Sequence, residues 1–330
     1  MSSSDGLPDE AASHYYAMQN ACALVAFERR TQIDLTGSDR QRFLHNLCTN
    51  EVSKLTPGQG CEAFATNVQG KCIGHVLISC QEDLLRVSTV ADQASVLIPH
   101  WDRYLITEDV ELIDRSAQRG EILLAGPAST TVLSRLGVTA PDANLANTRL
   151  TIEELDCWVT RTPMLGVDNF LLSYPQSAGS QITSLLLNAG AVTTDPTAVW
   201  LAFEAARLEH GFPWFGRDIS DKNLPQEVQR DAQAISFTKG CYLGQETVAR
   251  IDALGHVNRV LRRLRCESPT PPPDGTPVHV ADKPVGEITS AAVSPSVGSA
   301  IALAYLRCEH AAADTVVELP AGSAVVLPVA

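Results

Sequence analysis

Residues 239–251 read KGCYLGQETVARI, and their types could support thiol chemistry. Gly240 and Gly244 open backbone conformations closed to other residues, so the chain can pass close to a ligand or another segment there. Cys241, between them, is poorly shielded by its neighbours. A helix beginning near Gln245 would set its positive end close to the thiol, and Lys239 adds a cation; both favour thiolate. Cys241 and Lys239 are therefore the candidate catalytic residues. The competing reading is a buried cysteine in a glycine-rich turn, because most free cysteines are inert core residues. Gln245 and Glu246 fit ligand contact or a first helical turn, where acids are favoured. Tyr242 on its own fits packing better than chemistry.

A second candidate is Glu209. It falls in the last turn of the helix predicted over DPTAVWLAFEAARLEHG, capped by Asp195, opened by Pro196 and ended by Gly211. A carboxylate there opposes the negative end of the helix dipole, where Lys or Arg is the commoner structural choice. The eight histidines are dispersed, without metal-ligand spacing. No phosphate-binding loop, dinucleotide fingerprint or nucleophile elbow occurs.

The elements that must position these residues follow from pattern. IDLTGSDRQRFLHNL reads as strand, turn and helix, with Ser38 and Gln41 in capping-box spacing. CEAFATNVQGKCIGHVLISC reads as a hairpin about NVQGK. Pro99 should kink or split the helix over ADQASVLIPHWDRYLI, and SQITSLLLNAG is a helix closed by Gly190. Strands and helices mix without a βαβ rhythm, so the first 235 or so residues read as α+β. After the break PTPPPDG come short apolar runs separated by Gly, Pro and Ser, the pattern of a small β-barrel. The expected divisions are a disordered tail at 1–19, an α+β region at 20–235, the cysteine stretch and its helix at 236–257, and the barrel at 258–330.

Composition bounds the function. The chain has 330 residues, enough for more than one domain. Its formal net charge of −13 disfavours sequence-independent binding to phosphate backbones. The basic run RVLRRLR (259–265) reads as a solvated strand face. Nine cysteines without C-x-x-C spacing suggest reduced thiols and a cytoplasmic setting. The polar, acidic start is neither a signal nor a transit peptide, and no apolar run is long enough to cross a bilayer.

KGCYLGQE resembles the signature of the YgfZ family, folate-binding proteins tied to iron–sulfur cluster assembly or repair. DLTGSDRQRFLHNLCTNEVSKLTPGQG, RLEHGFPWFGRDI and GEITSAAVSPSVGSAIALAYLR are similar to segments of its wider superfamily, which includes the glycine cleavage T-protein, an aminomethyltransferase. The resemblance implies a three-lobed ring: two α+β lobes interleaved in sequence, closed by a C-terminal β-barrel, with tetrahydrofolate or a one-carbon derivative in the central hole. It implies Glu209 as acceptor for the pterin's N–H edge, with cations such as Arg217, Lys239 and Arg250 toward the anionic tail. The cofactor-binding set becomes Glu209, Arg217, Gly240, Tyr242, Gly244, Gln245 and Glu246, with no metal ligand. Implied partners are iron–sulfur client enzymes or assembly proteins, tRNA-modifying enzymes among the clients, with no direct contact to nucleic acid or membrane. Two alternatives stay open: a folate-dependent aminomethyltransferase or demethylase, and a binding module that has lost folate. The T-protein has acids after the hairpin turn where this chain has Gly74 and His75, and Leu319 and Pro320 stand near its late basic residue, which weighs against aminomethyl transfer. His75 then reads as a satisfied strand histidine or a proton carrier. Whether the chain catalyses a reaction is left undetermined.

Overall fold

The computed structural model describes residues 6–27, 29–255 and 257–329. Helix α1 (Asp9–Asn20) leads into strand β1 (Ala23–Phe27). The chain then leaves through β2 (Thr31–Thr36), α2 (Arg40–His45), β3 (Gly60–Thr66), β4 (Cys72–Cys80), β5 (Leu85–Thr89), α3 (Ala94–Asp102) and β6 (Glu111–Asp114). It returns through β7 (Arg119–Ala125), α4 (Ser129–Arg135), β8 (Asn147–Ile152), β9 (Leu155–Arg161), β10 (Asn169–Pro175) and α5 (Gly179–Asn188). β1 pairs antiparallel with β7, from Ala23 opposite Ala125 to Phe27 opposite Glu121. One sheet therefore runs β1-β7-β10-β9-β8, and the excursion forms the other, β3-β4-β5-β2-β6. Two α+β lobes are thus interleaved in sequence, as expected.

Next come α6 (Pro196–His210), α7 (Asp231–Ala234) and α8 (Gln245–Leu254). β11 (Arg259–Cys266), β12 (Pro277–Val280), β13 (Lys283–Ser294), β14 (Ser299–Arg307), β15 (Val316–Leu319) and β16 (Gly322–Val326) close a six-stranded barrel in the order β11-β14-β13-β12-β15-β16. Local chemistry sets α6 as predicted: the Asp195 carboxylate accepts from the Thr197 N–H, Pro196 opens the first turn, and Gly211 ends it at φ 79°. Each lobe and the barrel has its own apolar core. A further core joins them, bringing Tyr15 and Met18 of α1, Phe203 of α6, Phe64, Leu77, Leu123 and barrel residues Ile301 and Leu303 together.

Four expectations are corrected. Of the tail expected over 1–19, residues 1–5 lie outside the described residues, but α1 is a helix whose Ala11, His14, Tyr15 and Met18 are buried, largely against α6. The buried face satisfies the helix through a partner almost 200 positions away, which local polarity could not show. No capping box forms: Ser38 Oγ donates to Asp109 Oδ2 at 2.8 Å, and Gln41 Nε2 donates to the Leu55 carbonyl at 2.6 Å. Pro99 does not split α3, because the fully buried Leu97 and Trp101 hold the helix in place on either side of it. The arginines of RVLRRLR are also more than a solvated face: Arg262 donates to Gln229 and the Ala311 carbonyl, and Arg263 to the carbonyls of Glu209 and Pro328.

Candidate functional site

The KGCYLGQE stretch is a loop clamped between the end of α2 and the β3–β4 hairpin. Lys239 is buried, and its Nζ donates to the carbonyls of His45, Cys48 and Asn50, the last two at 2.8 Å. Carbonyls at a helix end and the turn after it lack intrahelical donors, so the ammonium supplies them. Its charge is also 4.9 Å from the Tyr242 ring centroid. Lys239 is therefore a peg that fastens the loop, with its three N–H donors given to carbonyls and none to the Cys241 thiol. Burial pulls its pKa below the ordinary lysine value. Tyr242 is buried, and burial pushes its phenol above the ordinary value.

The two glycines differ. At Gly244, φ is +81° and a Cβ would fall 2.4 Å from the Asn67 carbonyl oxygen and 2.7 Å from Gly70 Cα, so only glycine lets the loop press on the hairpin turn. At Gly240 the nearest atom to a Cβ would be His45 Nε2 at 3.9 Å, so no close approach requires that glycine. The Leu243 N–H donates to the Asn46 carbonyl, its carbonyl accepts from the Thr66 hydroxyl, and Gln245 Oε1 accepts from the Tyr242 N–H. α8 starts at Gln245, as expected. Cys241 is exposed and lines a groove of about 280 Å³ with Arg42, Phe43, Asn46, Tyr104 and Glu108. Glu246 and Arg250 are exposed on α8.

Glu209 is elsewhere. Its Oε2 accepts from the Tyr15 hydroxyl at 2.6 Å and its Oε1 from the Ser294 hydroxyl, so the carboxylate links α1 to β13. Those donors explain an acid at the end of α6 without a ligand. It is not among the residues lining the cleft described below. Arg217 is likewise engaged, with Glu204 and with Asp274 at 3.0 Å, where it braces the barrel.

The seam between the two sheets is polar and filled. Arg30 pairs with Glu121 at 2.7 Å, Arg86 with Asp34 at 2.7 Å, and the Arg86 guanidinium stacks 3.4 Å from the Trp158 ring centroid. His75 Nε2 lies 2.7 Å from Glu62 Oε1, and Arg230 grips the same carboxylate. Burial pushes Glu62 up, but the charge and hydrogen bonds of Arg230, helped by His75, overcome it and hold the carboxyl down at about 2. His75 is a satisfied strand histidine, stacked on Phe64 and near Phe212. The two spaces in this seam measure only about 20 and 10 Å³.

Beyond Arg30 the seam opens into a cleft of about 370 Å³. Its walls include Phe27 at the end of β1, Trp200 on α6 and Trp214 after α6. Phe27 and Trp214 stack with centroids 6.0 Å apart, and Trp200 meets Trp214 edge-on at 6.1 Å. Arg30, fixed by Glu121 and Ser88, covers Phe27 and Trp214 at 5.2 and 5.6 Å. Arg29 is exposed at the rim, with no ion-pair partner among the described residues. Sequence reasoning missed this cleft. The aromatic run FPWF was its one visible signal.

Residues 5–238 match the GCVT N-terminal domain, and residues 259–328 the glycine cleavage T-protein C-terminal barrel domain. The chain belongs to the glycine cleavage T-protein family. Among curated relatives, an aminomethyltransferase of Thermosynechococcus vestitus is 28% identical over 305 residues, covering 90% of this chain and 80% of the relative. One of Streptomyces avermitilis is 25% identical over 311 residues, covering 91% and 82%. The fold is that of the glycine cleavage system aminomethyltransferase T of Bartonella henselae, at a TM-score of 0.86 and 17% identity over 96% of this chain and 88% of that one. No helix among the described residues is long and apolar enough to cross a membrane.

Proposed function

We propose that this T-protein family chain is a tetrahydrofolate-binding protein of the YgfZ type, which supports the maturation or repair of iron–sulfur enzymes, tRNA-modifying ones among them. One observation carries the reading. Lys239, Tyr242 and Gly244 are spent on holding the loop, and Cys241 is left exposed with no structural task. A rigidly presented thiol suits chemistry with a partner. One thiolate does not hold a cluster alone, so a client or exogenous ligand must supply the rest. All nine cysteines are free, which agrees with a reducing cytoplasm.

The residues of the cleft fit the cofactor. Tetrahydrofolate joins a flat pterin to an arylamide and a glutamate tail, and a cleft of about 370 Å³ with aromatic walls and a rim guanidinium offers complementary surfaces. Bound there, it would supply a one-carbon acceptor at N5 of the reduced ring and N10 of the arylamine. Phe27, Trp200 and Trp214 would exclude water from its rings, and Arg30, already neutralised by Glu121, would keep the cleft's inner wall in place. Glu209 could contact the pterin only by giving up or sharing the hydroxyls of Tyr15 and Ser294.

The second reading, folate-dependent aminomethyl transfer, draws support from the relatives' name. Against it, the positions of the T-protein acids hold Gly74, packed near Leu97, and His75, already bound to Glu62. A deletion strain separates the readings. Under the first, iron–sulfur enzyme activity falls, the wild-type gene restores it, and a folded Cys241→Ala variant does not. Full rescue by Cys241→Ala would remove the thiol from the function. Folate-dependent aminomethyl transfer by the purified chain would establish the second.

A further inference from the structure

We propose that His45, held by Glu51 and left uncovered by the missing side chain of Gly240, is the proton acceptor for the Cys241 thiol. The proposal rests on the thiol reading above and gives that thiol its base.

His45 ends α2 and keeps only 8% of its surface exposed. The two nitrogens of its ring are treated differently. Nδ1 lies 3.1 Å from Glu51 Oε1 and 3.4 Å from the Ser53 amide nitrogen. The shorter, charge-assisted contact sets the tautomer: Nδ1 carries the proton and donates to the carboxylate, which leaves the lone pair on Nε2. Nε2 has no hydrogen-bond partner among the described residues. A ring nitrogen so nearly buried and still unpartnered calls for a partner from outside the fold.

Gly240 fixes where that partner comes from. His45 Nε2 is the nearest atom to the Cβ that another residue would carry there, at 3.9 Å, and Gly240 is itself exposed. Its φ is not positive, unlike that of Gly244, so the backbone does not demand glycine. A larger side chain at 240 would cover Nε2. Cys241, the next residue, is exposed and free. Lys239, on the other side of Gly240, grips the backbone carbonyl of His45 itself, so the loop that carries the thiol is fastened to the residue that carries the base. No hydrogen bond among the described residues joins the ring to Sγ; one water, or rotation of the exposed thiol, closes the gap.

In the step, the S–H bond breaks and an Nε2–H bond forms. The electron pair stays on sulfur, and Glu51 balances the imidazolium from the Nδ1 side. The charged groups about the ring are Glu51 and Lys54, from the turn after α2, and Lys239 from the loop. Burial and Lys239 pull His45 below its ordinary value, and Glu51 offsets part of this, so the ring is neutral and able to accept at neutral pH.

The test follows alkylation of Cys241 by iodoacetamide in the full-length protein from pH 5 to pH 10. Mass spectrometry of the Cys241 peptide keeps Cys308 and the buried thiols out of the signal. His45→Gln removes the ring and keeps the carbonyl that Lys239 grips, and circular dichroism checks its folding. At pH 7 the wild type should react about tenfold or more faster than His45→Gln. The two should converge above about pH 9.5, where a thiol of ordinary pKa, about 8.5, ionises unaided. Gly240→Val keeps the ring but covers Nε2, and should show the His45→Gln profile. Glu51→Gln should fall between that profile and the wild type. Coincident profiles for the wild type and His45→Gln would overturn the role of His45 and leave the thiol reading standing. A wild-type profile in Gly240→Val would overturn it too, because the ring would then have no opening at 240 to act through. Full rescue of the deletion strain by Cys241→Ala would overturn both readings.

Discussion

Glu62 shows what one residue can contribute when its surroundings are arranged for its charge. It is buried on β3, gripped by Arg230 and bonded to His75. Its carboxyl is held at about 2 against an ordinary 4.5. Because the folded group is the more acidic, its stabilisation is whole above pH about 4.5 and lost as pH falls toward about 2, an amount on the order of 3 kcal/mol. Urea unfolding of wild type and Glu62→Gln from pH 5 to pH 2 tests this. The stability gap between the two should narrow by about 3 kcal/mol as pH drops. A gap that stays constant would mean that Glu62 does not keep its charge in the folded protein. The same logic bears on Glu209, whose carboxylate sits against the helix dipole at the end of α6. Two hydroxyls, from residues 194 and 85 positions away, hold it there.

Among the elements, the cysteine loop and the β3–β4 hairpin depend on each other at one backbone contact. Gly244 and Gly70 both have positive φ, and each sits where a side chain would strike the other's segment. Gly244→Ala should therefore cost well over the 1–2 kcal/mol of a left-handed backbone alone, on the order of 4 kcal/mol. Gly275→Ala is the control, because it has a similar φ of +82° and nothing within 4 Å of the added Cβ. Its cost should stay near 1–2 kcal/mol by denaturant unfolding. Equal costs for the two would show that the hairpin contact contributes nothing. What was legible at this scale was local. Asp195, Pro196 and Gly211 marked α6, NVQGK marked the hairpin, and Gly and Pro punctuation marked the barrel. What was hidden was distant: α1 needed α6, and Lys239 needed carbonyls 189 to 194 positions back in the chain. The cleft was hidden for the same reason, since Phe27 and Trp200 meet only when the first strand and the sixth helix pack.

Across the whole molecule, the barrel meets the α+β lobes at a shared apolar core and at a charge cluster centred on one guanidinium. Arg207 is fully buried and takes Glu204 in two bonds of 2.9 and 2.8 Å, Asp218 at 2.7 Å and the Phe212 carbonyl at 2.8 Å. The other oxygen of Asp218 accepts from Thr289 and Ser290 of β13, so the charge cluster reaches across the boundary. Such a cluster is costly to desolvate and is not itself a large source of stability. Removing one partner is another matter, because buried charge is then left uncompensated. Arg207→Met leaves buried Asp218 without a cation and Glu204 with Arg217 alone, and should cost about 3–5 kcal/mol. The loss should fall on the junction more than on either unit, since the lobe and barrel cores are built separately. Urea unfolding that is a single transition in the wild type should therefore split in Arg207→Met, with the barrel and the lobes melting at different midpoints. Glu204→Gln and Asp218→Asn added to Arg207→Met should restore part of the lost stability by removing the stranded charges. A single transition at the wild-type midpoint in Arg207→Met would show that the apolar junction core, with Phe203, Ile301 and Leu303, holds the barrel without help from the charges.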